Sequence, residues 1–208
     1  MSQPFTLLLR LEGPMQSWGY RSRFDYRDTA LEPTRSGVMG LICAAMGIAR
    51  GEDISRFDVI RMGVRVIKEG RPERDYHTAL DVIKADGKGR DTVVSRRDYL
   101  ADASFVVGLQ SDDKNLLDSI AAALRNPIWT LFLGRKAFPL AVPPLEPDVS
   151  PVSGTLDQHL CSSNDPKRLV LEDPSGERIQ QDWPLCFGER RFKPRTIRIC
   201  FESEGDPK

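Results

Sequence analysis

The chain has 208 residues, 30 of them basic and 30 acidic, and a formal net charge of zero. That length buries one core with at most a small appendage, and the neutral balance excludes a protein drawn to nucleic acid by its overall field. Four cysteines with no CxxC pair and only two histidines argue against a disulfide framework, a zinc site or an HExxH metalloenzyme, and point to a reducing compartment.

Phe5 to Leu11 is a short, nearly continuous apolar run that reads as a strand buried on both faces, too short for a signal peptide. No run reaches membrane-spanning length, so the sequence predicts a cytoplasmic, soluble protein. The strand stops at Gly13-Pro14 in GPMQSWG. There Trp18 reads as packed beneath the turn, and the competing reading is a loop over a ligand with Gln16 and Trp18 as contacts.

Tyr20 to Arg35 interleaves Tyr20, Phe24 and Tyr26 with Arg21, Arg23, Arg27 and Arg35. Aromatic faces beside guanidinium planes suit unstacked RNA bases and their phosphates, although Asp25, Asp28 and Glu32 nearly cancel the charge. Thr34 or Ser36 caps a helix whose apolar period is Val38, Leu41, Ile42, Ala45 and Met46. Gly37 and Gly40 leave its first turns bare, so with Arg35 alongside the helix start could hold a phosphate, or the glycines could serve close packing.

Ile60 to Lys68 alternates as a half-buried strand. Arg74 to about residue 100 then reads as a long two-armed β-ribbon, its tip formed by Asp86-Gly87 and Lys88-Gly89. Neither arm alternates cleanly. From Lys84 to Arg97 the basic residues Lys84, Lys88, Arg90, Arg96 and Arg97 outnumber Asp86 and Asp91 by three. An isolated ribbon is marginal in water, so one this long and basic predicts a partner. Ala103 to Leu109 is a further strand, and Ser111 caps an amphipathic helix ending at Asn126-Pro127. With a last strand near Phe138 to Val142, the order is the split βαβ arrangement of ferredoxin-like folds.

Gly134 next to Arg135-Lys136 predicts a tight turn with exposed N–H groups and two cations, suited to phosphate, with Phe132 able to stack a base. A solvated hairpin turn is the equal alternative. Pro139, Pro143, Pro144, Pro147 and Pro151 mark the end of the core domain, and the rest reads as a small β-rich extension. Within it Leu145 to Asp182 is acidic, whereas Cys186 to Arg198 carries Arg190, Arg191, Lys193, Arg195 and Arg198 against Glu189, a candidate anion-binding face. For general acid–base cleavage of RNA the sequence offers only Tyr76, His77 and Lys84, and a structural histidine is the favoured reading.

Five ordered stretches carry a family resemblance: GPMQSWG at 13–19, PTRSGVMGLICAAMGI at 33–48, DYHTAL at 75–80, RDYLADASFVV at 97–107 and LFLGRKAFPL at 131–140. Together they resemble the CasD family, the subunit of type I-E CRISPR Cascade complexes that holds the upstream end of the guide RNA. The resemblance covers about two thirds of the chain. It implies an α+β fold with a ferredoxin-like, RRM/RAMP-type domain over 1–142, a protruding β-hairpin thumb at about 74–100 and a small C-terminal β appendage over 143–208. It implies a non-catalytic protein without cofactor or metal that grips the 5′ handle of the crRNA. Its partners would be a CasC-type backbone subunit and the large PAM-recognising subunit, with target DNA met through the complex and no membrane. Carried over by position, Gly134, Arg135 and Lys136 form the glycine-rich loop at the handle, bordered by Arg35 and Ser36. Lys88, Arg90, Arg96 and Arg97 lie on the thumb, and Trp18 and Tyr20 complete the expected RNA-binding set. Phe132 stands where the family is expected to carry tyrosine, which keeps stacking and loses a phenol hydrogen bond. The related type I-C protein cuts RNA, so a metal-independent endoribonuclease acting on repeat RNA is the alternative.

Overall fold

The computed structural model describes residues 3–19, 25–161 and 168–201. In chain order the elements are β1 (Phe5–Glu12), β2 (Met15–Gln16), β3 (Tyr26–Arg27), α1 (Arg35–Met46), a 3-10 turn at Ser55–Phe57, β4 (Arg61–Lys68), β5 (Arg71–Ile83), β6 (Arg90–Ala101), β7 (Ser104–Ser111) and α2 (Lys114–Arg125). They continue with β8 (Val152–Ser153), α3 (Leu156–Leu160), β9 (Arg168–Glu172), β10 (Arg178–Cys186) and β11 (Arg191–Phe201). Strands dominate and pair almost entirely antiparallel. Among the described residues no helix is long and apolar enough to cross a membrane.

Seven strands form one antiparallel sheet in the order β10-β11-β9-β4-β7-β1-β8. Period-two alternation sends Leu7, Leu9 and Leu11 of β1 into the main core, together with Phe105 and Val107 of β7 and Val38 and Ile42 of α1. Leu8 points the other way, onto a smaller cluster of Leu156, Leu160, Leu169 and Leu171. The apolar run at the N-terminus is therefore covered on both faces, as its composition predicts. Gly63 and Gly108 are directly paired across β4 and β7, and a methyl group on either would run into the leucines of α3 at 2.6–2.7 Å. The missing side chains make the hollow that α3 fills.

Helix α1 starts where expected: the Thr34 hydroxyl accepts from Gly37 N at 3.3 Å, and Gly47, at φ 70, ends the helix. For α2 the cap is Asp113, whose carboxylate accepts from Leu116 N at 3.1 Å; Ser111, the expected cap, instead accepts from Asp113 N just before it. The expected strand at Phe138 to Val142 is absent. Pro139, Pro143 and Pro144 cannot donate to a ladder, and the remaining groups bond locally or to β1, with Leu133 N on Phe138 O at 2.8 Å and Ala141 N on Glu12 O at 2.8 Å. The place beside β1 goes to the two-residue β8, where Val152 and Ser153 face Thr6 and Phe5.

Strands β5 and β6 form the predicted ribbon. Its tip turns at Gly87 (φ 71) and Gly89 (φ 88), both beyond the comfortable range of other residues, and Lys84 N donates to Gly89 O at 3.2 Å. Tyr76, Leu80 and Ile83 on it are 65%, 72% and 66% exposed. At the root β6 also pairs with β2 and, in parallel, with β3. The C-terminal strands continue the main sheet: β9 pairs with β4, β11 with β9 and β10 with β11.

Candidate nucleic-acid interface

Four stretches converge on the N-terminus of α1: the loop after β2, the root of the ribbon, the loop at 131–138 and the turn between β10 and β11. The first and third are locked together. Ser17 N donates to Leu133 O at 3.1 Å, and Gly134 (φ 87) lies so close that a Cβ there would sit 1.8 Å from the Ser17 carbonyl oxygen. Only glycine fits, for both space and backbone angle.

Asp98, at the ribbon root, joins the second stretch to this pair. Its carbonyl accepts from Arg135 Nη2 at 2.8 Å and from the Ser17 hydroxyl at 3.3 Å. Its carboxylate accepts from Arg74 Nε at 2.7 Å and from the Tyr26 hydroxyl. The Arg74 guanidinium is the main reason this carboxyl is held below the usual aspartate range.

The convergence leaves a cleft of about 610 Å³ whose walls carry Arg27, Arg50, Arg97, Arg135 and Arg190. Asp28 also lines it. Burial, then the guanidinium of Arg97, pulls the pKa of Arg135 down from its ordinary value, and Arg27 adds to the effect. An arginine stays protonated under any such shift, so like charges are held together at the cleft floor. An anion offsets that repulsion; the start of α1 lies alongside, although its Arg35, Gly37 and Val38 N–H groups already donate to Asp182 and to Thr34.

Beyond Ser36, Gly37 and Gly134 the cleft continues into a second chamber of about 830 Å³. Ile128, Trp129, Phe132 and Phe187 make its apolar lining, and Lys136 its cation. Arg50 and Phe187 border both chambers. A cationic groove running into an aromatic chamber can hold a backbone on one side and an unstacked base on the other.

Of the residues expected to bind RNA, Ser36, Gly134, Arg135 and Arg97 line the first chamber, and Phe132 and Lys136 the second. Lys88, Arg90 and Arg96 are exposed on the ribbon and line neither. Tyr20 lies outside the described residues. Trp18 borders the first chamber as well, but it is 1% exposed, packed under Gly37 with its indole N–H on Gln16 Oε1 at 3.1 Å, so its ring is covered and cannot stack a base.

Arg35 needs a correction. It is 1% exposed, turned away from the cleft into the carboxylate of Glu172 and the carbonyls of Ile60 and Phe57. Of the basic C-terminal run, Arg190 reaches the cleft, whereas Arg195 is buried against Asp182 and Glu172. Arg50 and Phe187 were not legible as site residues, for they stand in unremarkable sequence. Tyr76, His77 and Lys84 do not converge: the first two are neighbours on β5, so they point to opposite faces, and Lys84 lies about 23 Å further along the ribbon.

Comparison with known proteins gives the class first. Residues 6–198 match the family described as CRISPR-associated protein (Cas_Cas5), and the chain belongs to that family. Among its relatives, the CRISPR system Cascade subunit CasD of Escherichia coli (strain K12) is 32% identical over 91% of this chain and 86% of its own length. One chain of a solved CRISPR RNA-guided surveillance complex superposes with a TM-score of 0.79 at 33% identity, covering 95% of this chain and 90% of that one. A second solved Cas protein gives 0.76 at 39% identity, over 95% and 94%.

Proposed function

We propose that this chain is the subunit of a Cascade-type CRISPR surveillance complex that holds the 5′ handle of the crRNA, and that it does so without cleaving it. The observation that carries the reading is the two-chambered cleft, with five arginines around one chamber and Trp129, Phe132 and Phe187 in the next. Backbone phosphates lie along the arginines, and Gly134-Arg135-Lys136 presents its cations where the chambers meet.

The order β4-β7-β1 with α1 and α2 supports a ferredoxin-like, RAMP-type core over 1–142, whose fourth place in the sheet is filled by β8 from beyond that boundary. The β5–β6 ribbon is its thumb, and 143–208 its extension. The exposed apolar side chains of the thumb and its basic tip fit a CasC-type backbone subunit and the RNA passing beneath. The large PAM-recognising subunit is the other neighbour, and target DNA is met only through the assembly. The complex is cytoplasmic.

Arg135→Ala with Lys136→Ala tests the reading. Affinity for the repeat-derived handle, measured by fluorescence anisotropy across a salt titration, should fall, and the slope of log K against log salt should flatten by about 0.7 per cation removed. Unchanged affinity and slope would sink the site. The spread of Tyr76, His77 and Lys84 along the ribbon favours binding over cleavage. A discrete product from labelled repeat RNA in chelator, abolished by His77→Ala, would reverse that choice.

A further inference from the structure

We infer that the C-terminal hairpin β10–β11 is the second jaw of this cleft, with Phe187 stacking one unpaired base and Arg190 holding a phosphate next to it. The inference rests on the RNA-binding reading above and deepens it, by making the extension a direct contact to the RNA strand.

Two features place the hairpin turn at the cleft, and a third, within the hairpin, orients its ring. Gly188 N donates to the carbonyl of Arg50 at 2.7 Å, which fastens the turn to the rim of both chambers. The tip of the Phe187 ring points at Gly40 of α1, where a Cβ would stand in ordinary contact 3.9 Å from its outermost carbon, so the ring is seated against the helix. Phe192, across the hairpin, meets Phe187 edge-on with centroids 6.5 Å apart and planes at 71°, which fixes the ring's tilt.

Phe187 is thus a half-buried aromatic held from three sides, bordering both chambers. Arg190, three residues on, is exposed and sits at φ 53, a left-handed backbone rarely given to arginine. It is the last residue of the turn between β10 and β11, where the left-handed position lets the chain reverse. An aromatic platform beside an arginine is the chemistry that holds one nucleotide of a single strand without reading its sequence.

Purified full-length protein and a fluorescein-labelled single-stranded RNA copy of the repeat-derived handle provide the test. Phe187→Ala should weaken binding about tenfold or more and leave the salt slope unchanged, because no charge is lost. Phe187→Tyr should restore affinity, and Phe187→Leu should not. Arg190→Ala should lower the slope by about 0.7, and Arg190→Lys should keep it. Ile179→Ser, exposed on the same hairpin but outside both chambers, should bind normally.

Wild-type affinity in Phe187→Ala and Arg190→Ala, with binding lost in Arg135→Ala, overturns the second jaw and leaves the RNA cleft standing. Recovery in Phe187→Leu as full as in Phe187→Tyr reduces the ring to packing and also overturns it. Normal binding by all of these variants, Arg135→Ala and Lys136→Ala included, removes the cleft itself.

Discussion

Arg35 and Glu172, 137 positions apart in the chain, meet inside the molecule through hydrogen bonds of 2.9 and 3.1 Å. Glu172 also accepts from Met62 N and from Arg195 Nη1, and Arg195 binds Asp182 at 2.6 and 2.9 Å. Asp182 closes the ring by accepting from the backbone N–H of Arg35 at 2.7 Å. The Arg35 guanidinium sits over the Trp183 ring, its Cζ 3.6 Å from the ring centroid. Burial pulls Arg35 below its ordinary pKa against the pull of Glu172, whereas for Arg195 the carboxylates of Asp182 and Glu172 outweigh burial and hold it up. Two cations and two anions cancel here, so the ring is tolerable only when complete.

Arg35→Ala should therefore destabilise the protein by about 3–5 kcal/mol, because it leaves two buried carboxylates, Glu172 and Asp182, to share the single cation of Arg195. At about 2–4 °C per kcal/mol for a chain of this size, the melting temperature should fall by roughly 6–20 °C in calorimetry. A paired Arg35→Met, Glu172→Leu replacement should recover part of that loss. A melting temperature unchanged in Arg35→Ala would contradict the role assigned to this pair.

Gly134→Ala should disrupt the site by geometry alone. A residue with a side chain at φ 87 costs about 1–3 kcal/mol, and the clash with the Ser17 carbonyl forces the two loops apart. The variant should stay folded by circular dichroism yet lose handle binding. Full affinity in the alanine protein would show that the loops can part without harm.

The ribbon root should loosen in acid. The Asp98 carboxyl has a lowered folded-state pKa, caused first by Arg74. Its contribution is therefore present above the unfolded value of about 3.9 and is lost as the pH falls through the folded value. Urea midpoints for wild type and Asp98→Asn should differ at pH 7 and begin to converge only as the pH falls below about 3.9. Parallel curves across that range would assign the acid sensitivity elsewhere.

Cysteine reactivity should divide by burial. The Cys43 thiol, buried in α1, is pushed up to about 11 by desolvation, whereas Cys161 is exposed. At pH 8 iodoacetamide should label Cys161 within minutes and Cys43 only after unfolding, as read by peptide mass spectrometry.

Local signals in the sequence were read well where short-range chemistry decides. Thr34 capping α1 and the glycine turns of the ribbon tip depend on neighbours within a few residues, whereas β4, expected to be half-buried, is buried on both faces from Met62 to Val66 because α3 and β9 cover its second face. The broken alternation of the ribbon has two causes: in β5 the register slips between Ala79 and Val82 at Asp81, held at φ 57, and nearly every residue of β5 is exposed, so no buried face demands apolar side chains. Arg35 was misread because a basic residue beside a capping hydroxyl looks like a phosphate ligand, and its carboxylate partners arrive far down the chain. Phe187 gave no signal because its seat, Gly40, lies on another element.

The closed ring of charges also sets an order of events during synthesis. Residue 35 leaves the ribosome long before residues 172, 182 and 195, and until the last of them emerges a guanidinium destined for the interior has no counter-ion there. The first turn of α1, which borders both chambers, is completed only by the final strands. A nascent chain that has made its N-terminal half thus holds strands and helix in outline but no finished cleft.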